Sequence, residues 1–313
     1  MSNDFHVGNY PVFKKGIFDE RPGLFDRFIY HIPEHLKKKY QEGRGTLLKY
    51  EETITWPLIT GPGFSGATHP GTENIFIATM LNPNSIIYNS DCLYVNPSQK
   101  VFAISDAPGV TTSSRKLFVE LDNQLQAGSL NDIKTILNDL NKKIGIENSA
   151  TLSLICFPKS KSRYRVSQAL AFIAGDSYLF HGNILQKRMT CIEGATEFFG
   201  TPYIRLEPKC IELVAGDFFI IVSDGILSVR LNNKAAKLEE ILWEYVNGYL
   251  ENFALNIING CNEIFEEKVF DKVITRFGGG DNVSALLVHP EELIDINDNN
   301  GFIYGGYIEK QAN

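Results

Sequence analysis

Gly216-Asp217-Phe218-Phe219-Ile220-Ile221-Val222-Ser223-Asp224-Gly225 reads as a strand with a carboxylate at each end. Its five consecutive apolar residues are too few for a buried helix and are rich in aromatic and β-branched side chains, the pattern of a strand covered on both faces. Val101-Phe102-Ala103-Ile104-Ser105 repeats the arrangement: it stops at Asp106, and the Ala107-Pro108-Gly109 that follows cannot continue a central strand. Val283-Ser284-Ala285-Leu286-Leu287-Val288 follows on Asp281-Asn282, and Asn89-Ser90-Asp91 runs into Cys92-Leu93-Tyr94-Val95. A buried, unpaired carboxylate costs several kcal/mol, so such a residue finds a donor, a cation or a metal. One Asp alone reads as a turn cap bonding nearby amides. Four delivered by distant segments read as a divalent-metal cluster, and the chain as a metal-dependent hydrolase.

Working outward, Thr46 to Tyr94 shows short alternating or apolar runs, among them Thr53-Ile54-Thr55-Trp56 and Ile75 to Leu81, separated by Gly, Pro and Asn turns. Between Thr111 and Gly145 the period lengthens. Leu117, Leu121 and Leu125 lie four apart, and Ile133, Ile136, Leu137, Leu140 and Ile144 follow at three and four, so two amphipathic helices are expected, joined near Gly128-Ser129. Strands are expected again at 150–157, 167–174, 177–180 and 218–222, with Gly182-Asn183 as a hairpin turn. A second helical block is expected from about 235 to 274, before the last strand. Residues 1–45, with a short helical candidate over 33–41, read as an N-terminal extension, 46–290 as the domain, and 291–313 as an acidic, Asn-rich tail. Hairpin-rich strands with helices in separate blocks imply an α+β fold, a sandwich of two antiparallel sheets covered by helices.

The 313 residues are 43% hydrophobic and 21% charged, enough to bury a large core and unlike a disordered chain. A net charge of −7 argues against nucleic acid as the main partner, and an anionic substrate would need metal or local positive charge to offset it. The five cysteines, at 92, 156, 191, 210 and 261, form no Cys-x-x-Cys pair, so neither a zinc site nor a disulfide framework is indicated. There is no signal-peptide pattern at the N-terminus and no apolar run of membrane-spanning length. The expectation is a soluble, cytoplasmic protein with no membrane partner; specialised bacterial secretion would leave no mark of this kind.

From about residue 60 to 290 these stretches resemble the metal-dependent protein phosphatase family, often called PP2C-like. Asn89-Ser90-Asp91 stands for the family's Asn-Glu-Asp, Val101 to Asp106 for its strand ending in Asp-Gly, and Ser149-Ala150-Thr151 for its Ser/Gly-x-Thr strand entry. Ala174-Gly175-Asp176-Ser177 stands for Gly-Asp-Ser, Gly216 to Gly225 for the strand ending in Ser-Asp-Gly, and Gly280-Asp281-Asn282 for the terminal Asp-Asn. The resemblance implies an α-β-β-α sandwich and two Mg²⁺ or Mn²⁺ ions. Asp106 would bridge them, Asp224 and Asp281 would complete one, Asp91 would serve the other, and the Ala107 carbonyl would be a ligand. It also implies a protein phosphoserine/phosphothreonine phosphatase, in which ions about 3.5–4 Å apart activate a bridging hydroxide for in-line attack on phosphorus. Hard oxygen donors suit these ions better than zinc.

The chain departs from the family in places. Ser90 removes a carboxylate that could hold the second ion, and Ala107 before Pro108 reshapes the loop. No arginine precedes Asn89 in Pro83-Asn84-Ser85-Ile86-Ile87-Tyr88, leaving Arg115 as the nearest candidate phosphate-binding cation, although a helix-surface role suits it better. Asp176 and Asp217 read as turn and strand-entry residues, His69 as a loop residue that could also donate a proton, and Lys37-Lys38-Lys39-Tyr40 as a solvated helix face. Gly278-Gly279-Gly280-Asp281 lacks the Gly-Lys-Ser/Thr of a phosphate loop. Two other functions stay open: hydrolysis of another protein-linked phosphate bond, such as removal of an attached nucleotide, and a non-catalytic binding or regulatory module.

Overall fold

The computed structural model describes residues 58–71, 87–109, 111–127, 132–158, 168–229, 238–246, 253–254, 256–257, 260–261, 264–269, 272–277, 279–294 and 301–309. The N-terminal segment, the helical candidate at 33–41, the runs at 53–56 and 75–81 and the Gly128-Ser129 junction lie outside them. Two six-stranded antiparallel sheets make up the described domain. One has the order β1 (Leu58–Gly61), β2 (Phe64–His69), β13 (Val283–Val288), β10 (Asp217–Val222), β7 (Tyr178–Asn183), β8 (Arg188–Cys191). The other runs β14 (Phe302–Glu309), β3 (Ile87–Asn96), β4 (Val101–Ser105), β5 (Leu152–Cys156), β6 (Gln168–Ala174), β9 (Lys209–Glu212).

Side-chain alternation divides each central strand between two cores. Leu93, Val95, Phe102 and Ile104 meet Phe219, Ile221, Leu286 and Val288 between the sheets. Cys92, Tyr94, Val101 and Ala103 point the other way and pack under α1 (Ser113–Ala127) and α2 (Ile133–Ile144). Phe218, Ile220 and Val222 face α3 (Leu238–Val246) and the helical residues Phe253 and Ile257. The result is the expected layering of helix, sheet, sheet and helix. Leu117, Leu121 and Leu125 are the buried stripe of α1, and Ile133, Ile136, Leu137 and Leu140 that of α2. No helix among the described residues is long and apolar enough to cross a membrane.

Three expectations are corrected. Gly182 and Asn183 are not a turn but the end of β7, paired with Phe218 and Asp217. The glycine serves packing: a Cβ there would lie 2.1 Å from the Phe218 ring. The expected second helical block gives way after residue 261 to the hairpin β11 (Ile264–Val269) and β12 (Lys272–Phe277), which pair with each other, as their β-branched residues favour. The third concerns the boundary at 290. Residues 302–309 form β14, which pairs along β3 through a bulge between Gly305 and Tyr307, so the sheet continues past it.

Candidate active site

Strand parity brings the acidic residues together. Asp91 lies on the same face of β3 as Leu93 and Val95, and Asp106 continues the parity of Phe102 and Ile104, so both belong to the space between the sheets. Cys92 pairs with Ser105, which makes Asp91 and Asp106 close neighbours. From the opposite sheet, Ser223 has the parity of Phe219 and Ile221, and its Oγ donates to Asp91 Oδ2 at 2.5 Å. Asp224 follows immediately, and Asp281 lies two residues before β13, the antiparallel neighbour of β10.

Asp91 is fully buried and Asp106 and Asp224 are half-buried, while Asp281 is exposed. Burial pushes the Asp91 carboxyl up to about 7, against the Ser223 hydrogen bond, with the charges of Asp224 and Asp281 adding to the rise. Burial and the neighbouring Asp91 and Asp224 push Asp106 up to about 10. Asp224 is raised too, by burial and then by Asp176 and Asp281. Two unit charges about 4 Å apart repel by about 4 kcal/mol at an effective dielectric of about 20, more than a typical hydrogen bond contributes. Without a cation the cluster therefore holds protons. When all are ionised, Asp91 Oδ1 is buried with no donor; a proton shared with Asp106 provides one.

Neutral side chains set these carboxyls in place. The Asp106 N–H donates to Thr151 Oγ1 at 2.8 Å, the Thr151 N–H donates to the Asp106 carbonyl at 2.7 Å, and Thr151 Oγ1 meets Ser177 Oγ at 2.6 Å. Asn282 Oδ1 accepts from both the Ser90 N–H and Oγ, at 2.8 and 2.6 Å, while its Nδ2 donates to the Pro70 carbonyl at 2.7 Å. Gly225 approaches Asn282 so closely that a Cβ would lie 1.8 Å from its carbonyl oxygen. The bulge glycine Gly305, with φ +79°, likewise leaves no room for a Cβ, which would lie 2.2 Å from the Asp91 carbonyl oxygen. Ala107 is buried directly behind Asp106.

No protein-family model and no curated protein matches the sequence. Solved structures do match. PppA, a key regulatory component of T6SS in Pseudomonas aeruginosa, is similar with a TM-score of 0.52 and 16% identity, over 72% of this chain and 96% of its own. The serine/threonine phosphatase PstP/Ppp of Mycobacterium tuberculosis is similar with a TM-score of 0.50 and 15% identity, over 73% and 98%. A bacterial serine phosphatase variant gives 0.51 and 14%, over 74% and 100%. The chain has a PP2C-like fold.

Within this PP2C-like fold, the stretches that carried the resemblance acquire distinct physical duties. Thr151 and Ser177 hold the Asp106 backbone, a link across 26 residues that neither short motif reveals alone. Ser90 is buried and bonded to Asn282, so it ties β3 to the loop before β13. Asp176 is exposed at the turn before Ser177, yet after burial its charge does most to raise Asp224. Asp217 is turned to structural use at the opposite end of β10, bonded by Asn183 Nδ2 and the Val214 N–H. His69 is buried at the end of β2, where its Nδ1 accepts from the Gly71 N–H. Arg115 is not simply on the surface: its Nη1 donates to the Gly305 carbonyl at 2.7 Å, tying α1 to β14.

The donor set fits a hard divalent cation in chemistry: all candidates are oxygens, and one buried oxygen of Asp91 lacks a donor. As the side chains stand, no group of three or more His, Cys, Asp or Glu among the described residues is arranged to hold an ion.

Proposed function

We propose that this chain is a metal-dependent phosphoester hydrolase that removes phosphate from phosphoserine or phosphothreonine in a protein, working in the cytoplasm. The observation that carries the reading is the gathering of Asp91, Asp106, Asp224 and Asp281 at one end of the sandwich, where burial and then the neighbouring carboxylates raise Asp91, Asp106 and Asp224. The charges acting on these carboxyls are themselves carboxylates, so a phosphate cannot approach unless cations intervene. Asp91, Asp106, Asp224, Asp281 and the Ala107 carbonyl would hold Mg²⁺ or Mn²⁺. Two such ions supply positive charge for the phosphoryl oxygens and lower the pKa of a water.

The protein's own part is positioning. Thr151 fixes the backbone on both sides of the Asp106 peptide, so its carboxylate does not have to be ordered when substrate arrives. Ser223 holds Asp91 Oδ2 and leaves Oδ1 available. Exposed Asp281 and half-buried Asp224 mark the open side of the site, where a protein side chain can enter.

The test is hydrolysis of p-nitrophenyl phosphate and of a phosphothreonine peptide by the full chain with Mn²⁺, with Mg²⁺ and after chelation. Metal-dependent turnover that disappears in Asp106→Asn supports the reading. Metal binding without turnover of either substrate would overturn it.

A further inference from the structure

We infer that Leu227 determines specificity at this site by receiving an apolar side chain that flanks the phosphorylated residue; the inference rests on the phosphoprotein phosphatase reading above. Asp224 to Ser228 form one 3-10 segment. In such a helix side chains three apart eclipse, about 6 Å along the axis. Leu227 therefore stands on the same side as Asp224, one turn further on. It is 61% exposed, while its neighbour Ile226 is fully buried.

The segment is clamped. Gly225 lies against Asn282 without room for a Cβ. Ser228 Oγ donates to the Gly225 carbonyl at 2.7 Å and accepts from the Gly280 N–H at 2.9 Å. A single exposed leucine is ordinary on a protein surface and needs no explanation. One carried on a braced turn next to a carboxylate cluster is a preformed contact, because its backbone needs no ordering when a peptide binds. Of the exposed acidic residues at the site, Asp281 would be taken up by a cation while Asp176 stays free to act, so an apolar flanking side chain is accepted and an acidic one repelled. The exposed Ile184, Leu185 and Val214 gather around Gly216 and Asp217 at the other end of β10, about 20 Å away at the rise of a strand, and serve no peptide bound at Asp224.

The experiment measures Mn²⁺-supported kinetics on p-nitrophenyl phosphate and on phosphothreonine peptides carrying Leu, Ser or Asp at each flanking position. The wild type is expected to prefer Leu over Asp at one flanking position about tenfold in kcat/KM. Leu227→Ala should raise KM for the Leu peptide about fivefold relative to p-nitrophenyl phosphate, with the loss in KM and not in kcat. Leu227→Ile should restore the preference, and Leu227→Lys should shift it toward Asp. If Leu227→Ala and Leu227→Lys keep the wild-type peptide preference, the inference is overturned, and p-nitrophenyl phosphate turnover by the wild type leaves the phosphatase reading standing. A wild type inert to every substrate overturns both.

Discussion

Strand β10 carries an aspartate at each end, and the two are opposites. Asp217 is buried and provided for: Asn183 Nδ2 and the Val214 N–H donate to it, and His181 Nε2 lies 3.2 Å from Oδ1, though not aligned for a hydrogen bond. Asp224, seven residues later, is given other carboxylates as neighbours and is raised by burial and then by them. Donors turn a buried carboxylate into a structural joint, whereas other carboxylates leave it short of positive charge. Only the second arrangement stores a demand that a cation can meet.

The largest expected effect breaks the metal end of that comparison. Asp106→Asn or Asp224→Asn should lower metal-dependent turnover about a thousandfold in steady-state assays, while the metal-free proteins melt no lower than the wild type, since an amide is neutral, like a protonated carboxyl, and adds no repulsion to the cluster. Unchanged turnover in both would sink the metal assignment. At the other end, Asp217→Ala removes the acceptor of the Val214 N–H and one of the two acceptors of Asn183 Nδ2, which keeps the Ala215 carbonyl, and should cost about 2 kcal/mol in urea denaturation, with turnover per folded molecule retained. Loss of activity in a folded Asp217→Ala protein would erase the contrast between the two ends.

A smaller effect sharpens the comparison. Thr151→Val removes the acceptor of the Asp106 N–H and the partner of Ser177, and should weaken Mn²⁺ binding about tenfold by calorimetric titration. The smallest is in pH. Asp91 titrates near 3.8 when unfolded and near 7 when folded, so in this window the native state holds a proton that the unfolded state has lost. Stability from this group is complete below pH 4 and is lost as pH rises through about 7. Thermal melting should therefore show a Mn²⁺-induced rise in midpoint that grows by on the order of a few degrees from pH 5 to pH 8. A rise independent of pH would mean that the ion does not displace these protons.

Much of this site could be read along the chain. Asp106, Asp224 and Asp281 border largely apolar runs, and such runs read as central strands with the carboxylates where they surface. The α1 and α2 stripes were legible for the same reason, a period set by backbone geometry. Gly182 was misread because a glycine that clears space for the Phe218 ring looks, in one dimension, like a glycine in a turn. β14 was missed because its Gly305-Gly306 bulge interrupts the alternation that marks a strand, and β11 and β12 because apolar residues at short spacings satisfy a helical template as well. Ser90 read as a missing ligand, and nothing local to it names Asn282 as its partner.

The residue pattern by itself determined that the uninterrupted apolar runs are buried strands and that carboxylates cap them, because alternation and burial are properties of a chain's own period. Tertiary structure alone decided that Asp91 faces Ser223, that Thr151 and Ser177 hold Asp106, and that Asp217 is satisfied where Asp224 is not. Those outcomes depend on which groups meet across tens to hundreds of residues, and electrostatic energy is set by distance in space.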